Sequence, residues 1–106
     1  MSTVVLYCAQ DGQITGFEVS GHTGYAQTGQ DIVCAALSFL AVTCANALES
    51  IAKLKPAISQ KDGLLRVQVT EANSEARTIF AVFSQGIEDL QDSYPEYVKL
   101  LAPKLL

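Results

Sequence analysis

DIVCAALSFLAVTCANALESIAKLKP, residues 31–56, reads as one long helix closed by a proline. Asp31 suits an N-cap, because its carboxylate can accept from the unpaired amides of the first turn. Pro56 disfavours helical geometry in the residue before it, so the helix is expected over 32–54. Roughly 22 residues at 1.5 Å each give about 33 Å of helix. Placed at about 100° per residue, Val33, Leu37, Leu40, Cys44, Leu48 and Ile51 make one apolar stripe. Cys34, Ser38, Ala41 and Ala45 make a neighbouring stripe of small residues. The remaining face is polar only in its second half, with Thr43, Asn46, Glu49, Ser50 and Lys53. In its first half that face carries Ile32, Ala35, Ala36, Phe39 and Val42. A segment apolar almost all round is expected to be covered on most sides, by sheet and by other elements or a second subunit.

Strand signals flank this helix. Upstream, Thr3 to Cys8 is rich in β-formers, Asp11-Gly12 is a hairpin turn pair, and Ile14 to Ser20 alternates with Phe17 and Val19 on one side. Residues 21–30 then form a glycine-bearing loop, longer than the usual connection of about 4–6 residues. Downstream, 57–60 and 64–71 read as a second hairpin around Lys61-Asp62-Gly63. A second helix starts at Asn73 or Ser74, its apolar face carrying Ile79, Phe80, Phe83, Ile87 and Leu90. The tail SYPEYVKLLAPKLL begins with a proline suited to the first turn of a helix. Its Tyr97, Val98, Leu100 and Leu101 are expected to dock, and its last two leucines to fray. The order ββαββα predicts an α+β fold, with a small antiparallel or mixed sheet packed on two main helices.

Composition narrows the function. The chain has 106 residues, 49% of them hydrophobic and 17% charged, which favours one globular domain across 1–106. A chain this short buries surface only modestly well, so dimerisation is compatible with it. The net charge is −4 and the seven basic residues are scattered, which argues against nucleic-acid binding. No signal peptide is apparent at the N-terminus, and the run Ile32 to Val42 is too short to span a bilayer. A cytoplasmic protein is expected. Three cysteines and one histidine at these spacings match neither a disulfide framework nor a zinc site, so no metal or cofactor is expected.

The chemistry concentrates in GHTGYAQTGQDIVC, residues 21–34, which holds the only histidine and one of the cysteines. Cys34 falls third in the helix, where free amides and the helix dipole favour a thiolate and could help hold an oxyanion. His22, beside Gly21 on a long loop, has the freedom a base needs to approach that thiol. Each has a bland reading too: a small buried cysteine, and an exposed loop histidine of no consequence. Asp31 either caps the helix, spending amides on its carboxylate, or turns to orient His22 as the third member of a triad. Ser38, one turn beyond Cys34, either permits close packing or lines the site. Cys8 and Cys44 read as structural.

GHTGYAQTGQDIVCAALS closely resembles the signature of the ribosomal-processing cysteine protease (Prp) family. The flanking hairpins, the long helix and the late YPEYVKL extend the resemblance over nearly the whole chain. It implies a homodimer of compact α+β domains that removes a short apolar N-terminal extension from large-ribosomal-subunit protein 27. It also implies Cys34 as nucleophile and His22 as base, with Gly21, Asp31 and Ser38 at other signature positions and 23–30 as a mobile segment over the active site. Thr23 departs from the pattern, which usually carries a smaller residue there, often Ala, and the tail after Leu100 is longer than typical. Two rivals stand beside the protease: a non-catalytic thiol switch built on Cys34, and an interaction module for ribosome assembly using the apolar half-helix.

Overall fold

The computed structural model describes residues 1–27 and 29–106. Strands β1 (Ser2–Cys8) and β2 (Ile14–Ser20) form the first hairpin, and β3 (Ala57–Lys61) and β4 (Leu64–Gln68) the second. Helix α1 (Ile32–Ser50) joins the hairpins, and α2 (Ser74–Ser93) follows them. Two short strands, β5 (Val98–Leu100) and β6 (Lys104–Leu105), complete the chain. The expected α+β fold is present, with a mixed sheet in the order β3-β4-β2-β1-β5 and β6 also paired to β1.

Antiparallel register decides which side chains meet. Val4 lies opposite Val19 and Leu6 opposite Phe17. Phe17 in turn lies opposite Val67, and Val19 opposite Leu65. Side chains alternate along a strand, so these residues share one face, and both helices bury their apolar sides against it. Phe17 is its centre: it stacks on Phe83 with ring centroids 3.9 Å apart and meets Phe80 edge-on at 6.3 Å. Gly86 lets the helices approach, since a Cβ there would lie 2.6 Å from Leu40 Cδ2. On the opposite face Thr3 bonds Ser20 at 2.8 Å, and the Arg66 guanidinium sits 4.9 Å from the Tyr7 ring centre.

Four expectations need correction. Helix α1 stops at Ser50, four residues short of Leu54. Lys53 adopts φ 60, and the amides of Ile51, Ala52 and Leu54 fold back onto the carbonyls of Ala47 and Leu48. This left-handed turn satisfies the last carbonyls and redirects the chain before Pro56. Strand β4 ends at Gln68 rather than Glu71. The tail makes strands, not a helix. β1 has only β2 on one side, and its other edge carries free backbone groups that the tail pairs in parallel, Ser2 with Val98 and Tyr7 with Lys104. Leu106 N–H still reaches Cys8 O at 3.0 Å, so the last residue is tied rather than frayed.

Helix α1 is strongly apolar. Over its 19 residues it is long and apolar enough by length and composition to cross a membrane, although the shorter run Ile32 to Val42 is not. In this fold it is a core helix, with Val33, Leu37, Ala41, Cys44, Ala45 and Leu48 buried. Within one chain its first half is covered on one side only, because a two-layer fold covers one side of each helix. Ile32 is 58% exposed and Phe39 73%, with Val42, Ala35 and Ala36 exposed on the same face.

Candidate active site

Pairing of β2 with β4 builds one wall of the site. Ser20 lies opposite Leu64, so the residue after Ser20 meets the residue before Leu64. Gly21 N–H accordingly donates to Gly63 O at 2.8 Å. Gly21 has φ +84, and a Cβ there would lie 2.6 Å from Met1 O, so only glycine fits without displacing backbone. His22 follows immediately, two-thirds exposed, with Nε2 3.8 Å from Asp62 Oδ1. Gly63 underlies the imidazole: a Cβ there would lie 3.4 Å from His22 Nε2.

The start of α1 builds the other wall. Asp31 is the N-cap, with Oδ1 accepting from Cys34 N–H at 2.8 Å. Its Oδ2 accepts from the Tyr25 amide at 3.0 Å and the Ala26 amide at 3.4 Å, and from the Thr23 hydroxyl. Partial burial works to raise the Asp31 carboxyl, but the Thr23 hydroxyl and the amides of Cys34, Ala26 and Tyr25 outweigh it. They hold it below the ordinary carboxylate value. The capping reading of Asp31 is thus the one realised, and the carboxylate beside the imidazole belongs to Asp62. The Cys34 amide is committed to the cap, which removes it as an oxyanion donor in this arrangement.

His22 and Cys34 meet at two adjoining cavities, and both residues line each of them. The larger, about 660 Å³, is walled by Gly24, Ala26, Ala35, Ser38 and Asp62 among others. The smaller, about 220 Å³, runs between α1 and the second hairpin past Gly21, Leu37, Ser38 and Gly63. Five signature positions therefore converge: Gly21 and His22 from the sheet side, Asp31, Cys34 and Ser38 from the helix. Cys34 is half-buried, neither sealed in the core nor fully open. Cys44 is buried on the core stripe, where burial pushes its thiol up, and Cys8 gives its thiol to Lys104 O at 3.6 Å. Of the loop over the site, Thr28 lies outside the described residues. Tyr25 packs edge-on against Tyr94 at 5.6 Å and Tyr97 at 5.2 Å, anchoring the loop to the tail.

Asp62 and Gly63 were legible as a turn but not as part of the site. Only the β2–β4 register could have placed them beside His22. Thr23, which departs from the signature, is 1% exposed amid exposed neighbours, and its hydroxyl is spent on Asp31.

Comparison with known proteins gives a consistent answer. The family model for cysteine protease Prp matches residues 1–99. The ribosomal processing cysteine protease Prp of Staphylococcus aureus is 26% identical over 103 residues, covering 94% of this chain and 97% of that one. Its Bacillus subtilis counterpart is 26% identical over 99 residues, covering 87% and 88%. A crystal structure of the S. aureus protease with a covalently linked product peptide superposes with a TM-score of 0.90 at 26% identity, covering 96% of this chain and 99% of that one. A Streptococcus mutans protein superposes at 0.84, also 26% identical, covering 100% and 99%. The fold, the convergence of the signature residues on one cleft and the family match agree: this chain belongs to the Prp family and is a cysteine protease.

Proposed function

We propose that this protease removes a short N-terminal extension from large-ribosomal-subunit protein 27 in the cytoplasm, with Cys34 as nucleophile and His22 as its base. The observation that carries the assignment of residues is that the chain's only histidine and Cys34 line the same two cavities. The relatives named for ribosomal processing, one of them seen with a covalently linked product peptide, support the substrate class.

The chemistry follows from the groups present. The Cys34 thiolate attacks the scissile carbonyl carbon, and the carbonyl electrons move to oxygen. The tetrahedral intermediate collapses with cleavage of the C–N bond, and protonated His22 gives its proton to the departing amine. Water then attacks the thioester while neutral His22 takes its proton, releasing the acid and regenerating the thiolate. Helix-start amides and dipole favour both the thiolate and the oxyanion. The Cys34 amide stays with Asp31, so the oxyanion falls to the other helix-start amides, and substrate binding with loop movement completes the site.

The exposed apolar face of α1, Ile32, Ala35, Ala36, Phe39 and Val42, supports a homodimer built on this helix. Ile32 and Ala35 also border the larger cavity, which would put such an interface beside the substrate cleft.

The test is cleavage of a peptide spanning the extension and the mature N-terminus of protein 27, followed by mass spectrometry. Cys34→Ala and His22→Ala are each expected to keep the fold and to lower kcat by at least about a thousandfold. Processing by Cys34→Ala at the wild-type rate would refute the assignment.

A further inference from the structure

We propose that Thr23 is a positioning residue for the His22–Cys34 pair, tying the segment that carries the base to the cap of the nucleophile's helix through its buried hydroxyl. The proposal rests on the protease reading above and adds to it a residue outside the shared signature.

Thr23 is 1% exposed, whereas His22, Gly24, Tyr25 and Ala26 around it are exposed. A polar side chain buried within an exposed loop needs a partner, and the Thr23 hydroxyl has one in Asp31 Oδ2. The other oxygen of that carboxylate accepts from Cys34 N–H at 2.8 Å. One carboxylate therefore joins the residue after the base to the nucleophile's own backbone. Along the chain the two are separated by the whole of a long loop, which cannot by itself define their distance. Across the carboxylate they are separated by two hydrogen bonds.

His22 is held from both sides as a result. Before it, Gly21 N–H is bonded to Gly63 O at 2.8 Å, fixing the segment to the sheet. After it, Thr23 fixes the segment to the helix start. The backbone around His22 is clamped between the two walls of the cleft. Loss of the hydroxyl leaves Asp31 with the amides of Cys34, Tyr25 and Ala26, so the helix remains capped. What weakens is the side-chain anchor next to the base.

The experiment compares Thr23→Val, which keeps the shape and removes the hydroxyl, with Thr23→Ser, which keeps the hydroxyl, and with Thr23→Ala. Two readouts are taken: kcat and KM on the protein 27 peptide, and the rate of Cys34 alkylation by iodoacetamide at neutral pH, followed by peptide mass mapping. Thr23→Val and Thr23→Ala are expected to lose about tenfold in kcat with KM within about twofold, and to alkylate Cys34 several-fold more slowly. Thr23→Ser is expected to stay within about threefold of wild type in both. Wild-type kcat and alkylation in a folded Thr23→Val, or in Thr23→Ala should the valine variant not fold, would overturn the proposal. So would a loss in Thr23→Ser as large as in Thr23→Val. Alkylation needs no substrate, so a wild-type protein that leaves the peptide uncut refutes the substrate assignment while the alkylation series still decides the role of Thr23.

Discussion

Asp31 Oδ1 accepts the backbone amide of Cys34 at 2.8 Å, so the carboxylate that begins the long helix is bonded to the residue that carries the thiol. Its other oxygen gathers the loop through Thr23, Tyr25 and Ala26. Helix cap, loop anchor and partner of the Cys34 amide are one side chain, so the chemistry proposed for Cys34 is tied to helix stability through it.

That coupling gives a pH dependence with a definite sign. The donors around Asp31 hold its carboxyl below the ordinary value. Its contribution to stability is then complete above the unfolded-state pKa of about 3.9, and it is lost as pH falls through the lower folded value. Thermal midpoints of wild type and Asp31→Asn, measured from neutral to acid pH, should differ most near neutrality and converge below about pH 4. A gap that widens in acid would contradict the role given to Asp31.

Gly63 combines a left-handed backbone with proximity to His22. At φ +73 an alanine costs about 1–2 kcal/mol in stability, and its Cβ would lie 3.4 Å from His22 Nε2. Gly12 offers the control, with φ +85 and nothing within 4 Å of a Cβ. Both alanine variants should unfold at lower denaturant, but only Gly63→Ala should lower kcat, by several-fold. Equal kcat in the two would show that the imidazole is not held against the hairpin.

Asp62 is the acidic neighbour of His22, yet the pair is 3.8 Å apart and the Asp62 side chain is 99% exposed. Water and salt screen such a pair strongly. Asp62→Asn should therefore change kcat/KM by less than about threefold, and raised salt should shrink even that. A loss of a hundredfold would promote Asp62 to a true orienting partner of the imidazole.

Phe39 is 73% exposed on the apolar first half of α1. If this face joins two copies, Phe39→Lys should weaken self-association by more than about tenfold in sedimentation equilibrium, with the far-UV circular dichroism unchanged. An unaltered dimer would move the interface to another surface.

Local rules carried much of the fold. Asp31 as cap, Asp11-Gly12 and Asp62-Gly63 as turns, and the apolar spacing of Ile79, Phe80, Phe83 and Ile87 all act over a few residues. Elements that depend on them were legible. Of the misread elements, one depended on a partner far along the chain and another on an uncommon local turn. Val98 became a strand because β1 had an open edge, and α1 ended early because Lys53 could take a left-handed turn that satisfied its last carbonyls.

The site divides the same way. Sequence alone determined that a glycine-flanked histidine and a first-turn cysteine exist, that Asp31 stands where a cap belongs, and that the pattern is that of a protease family. Only the tertiary structure decided that both side chains line common cavities, that Asp31 serves the helix rather than the imidazole, that Asp62 and Gly63 border those cavities, and that the Thr23 hydroxyl is bonded to Asp31. The physical reason is range. Caps, turns and helical stripes are set by neighbours within a turn or two, whereas the wall beside His22 exists because β2 pairs with a strand more than forty residues later. The meeting of Thr23 with Asp31 likewise requires a loop to close on itself, and no local propensity encodes that closure.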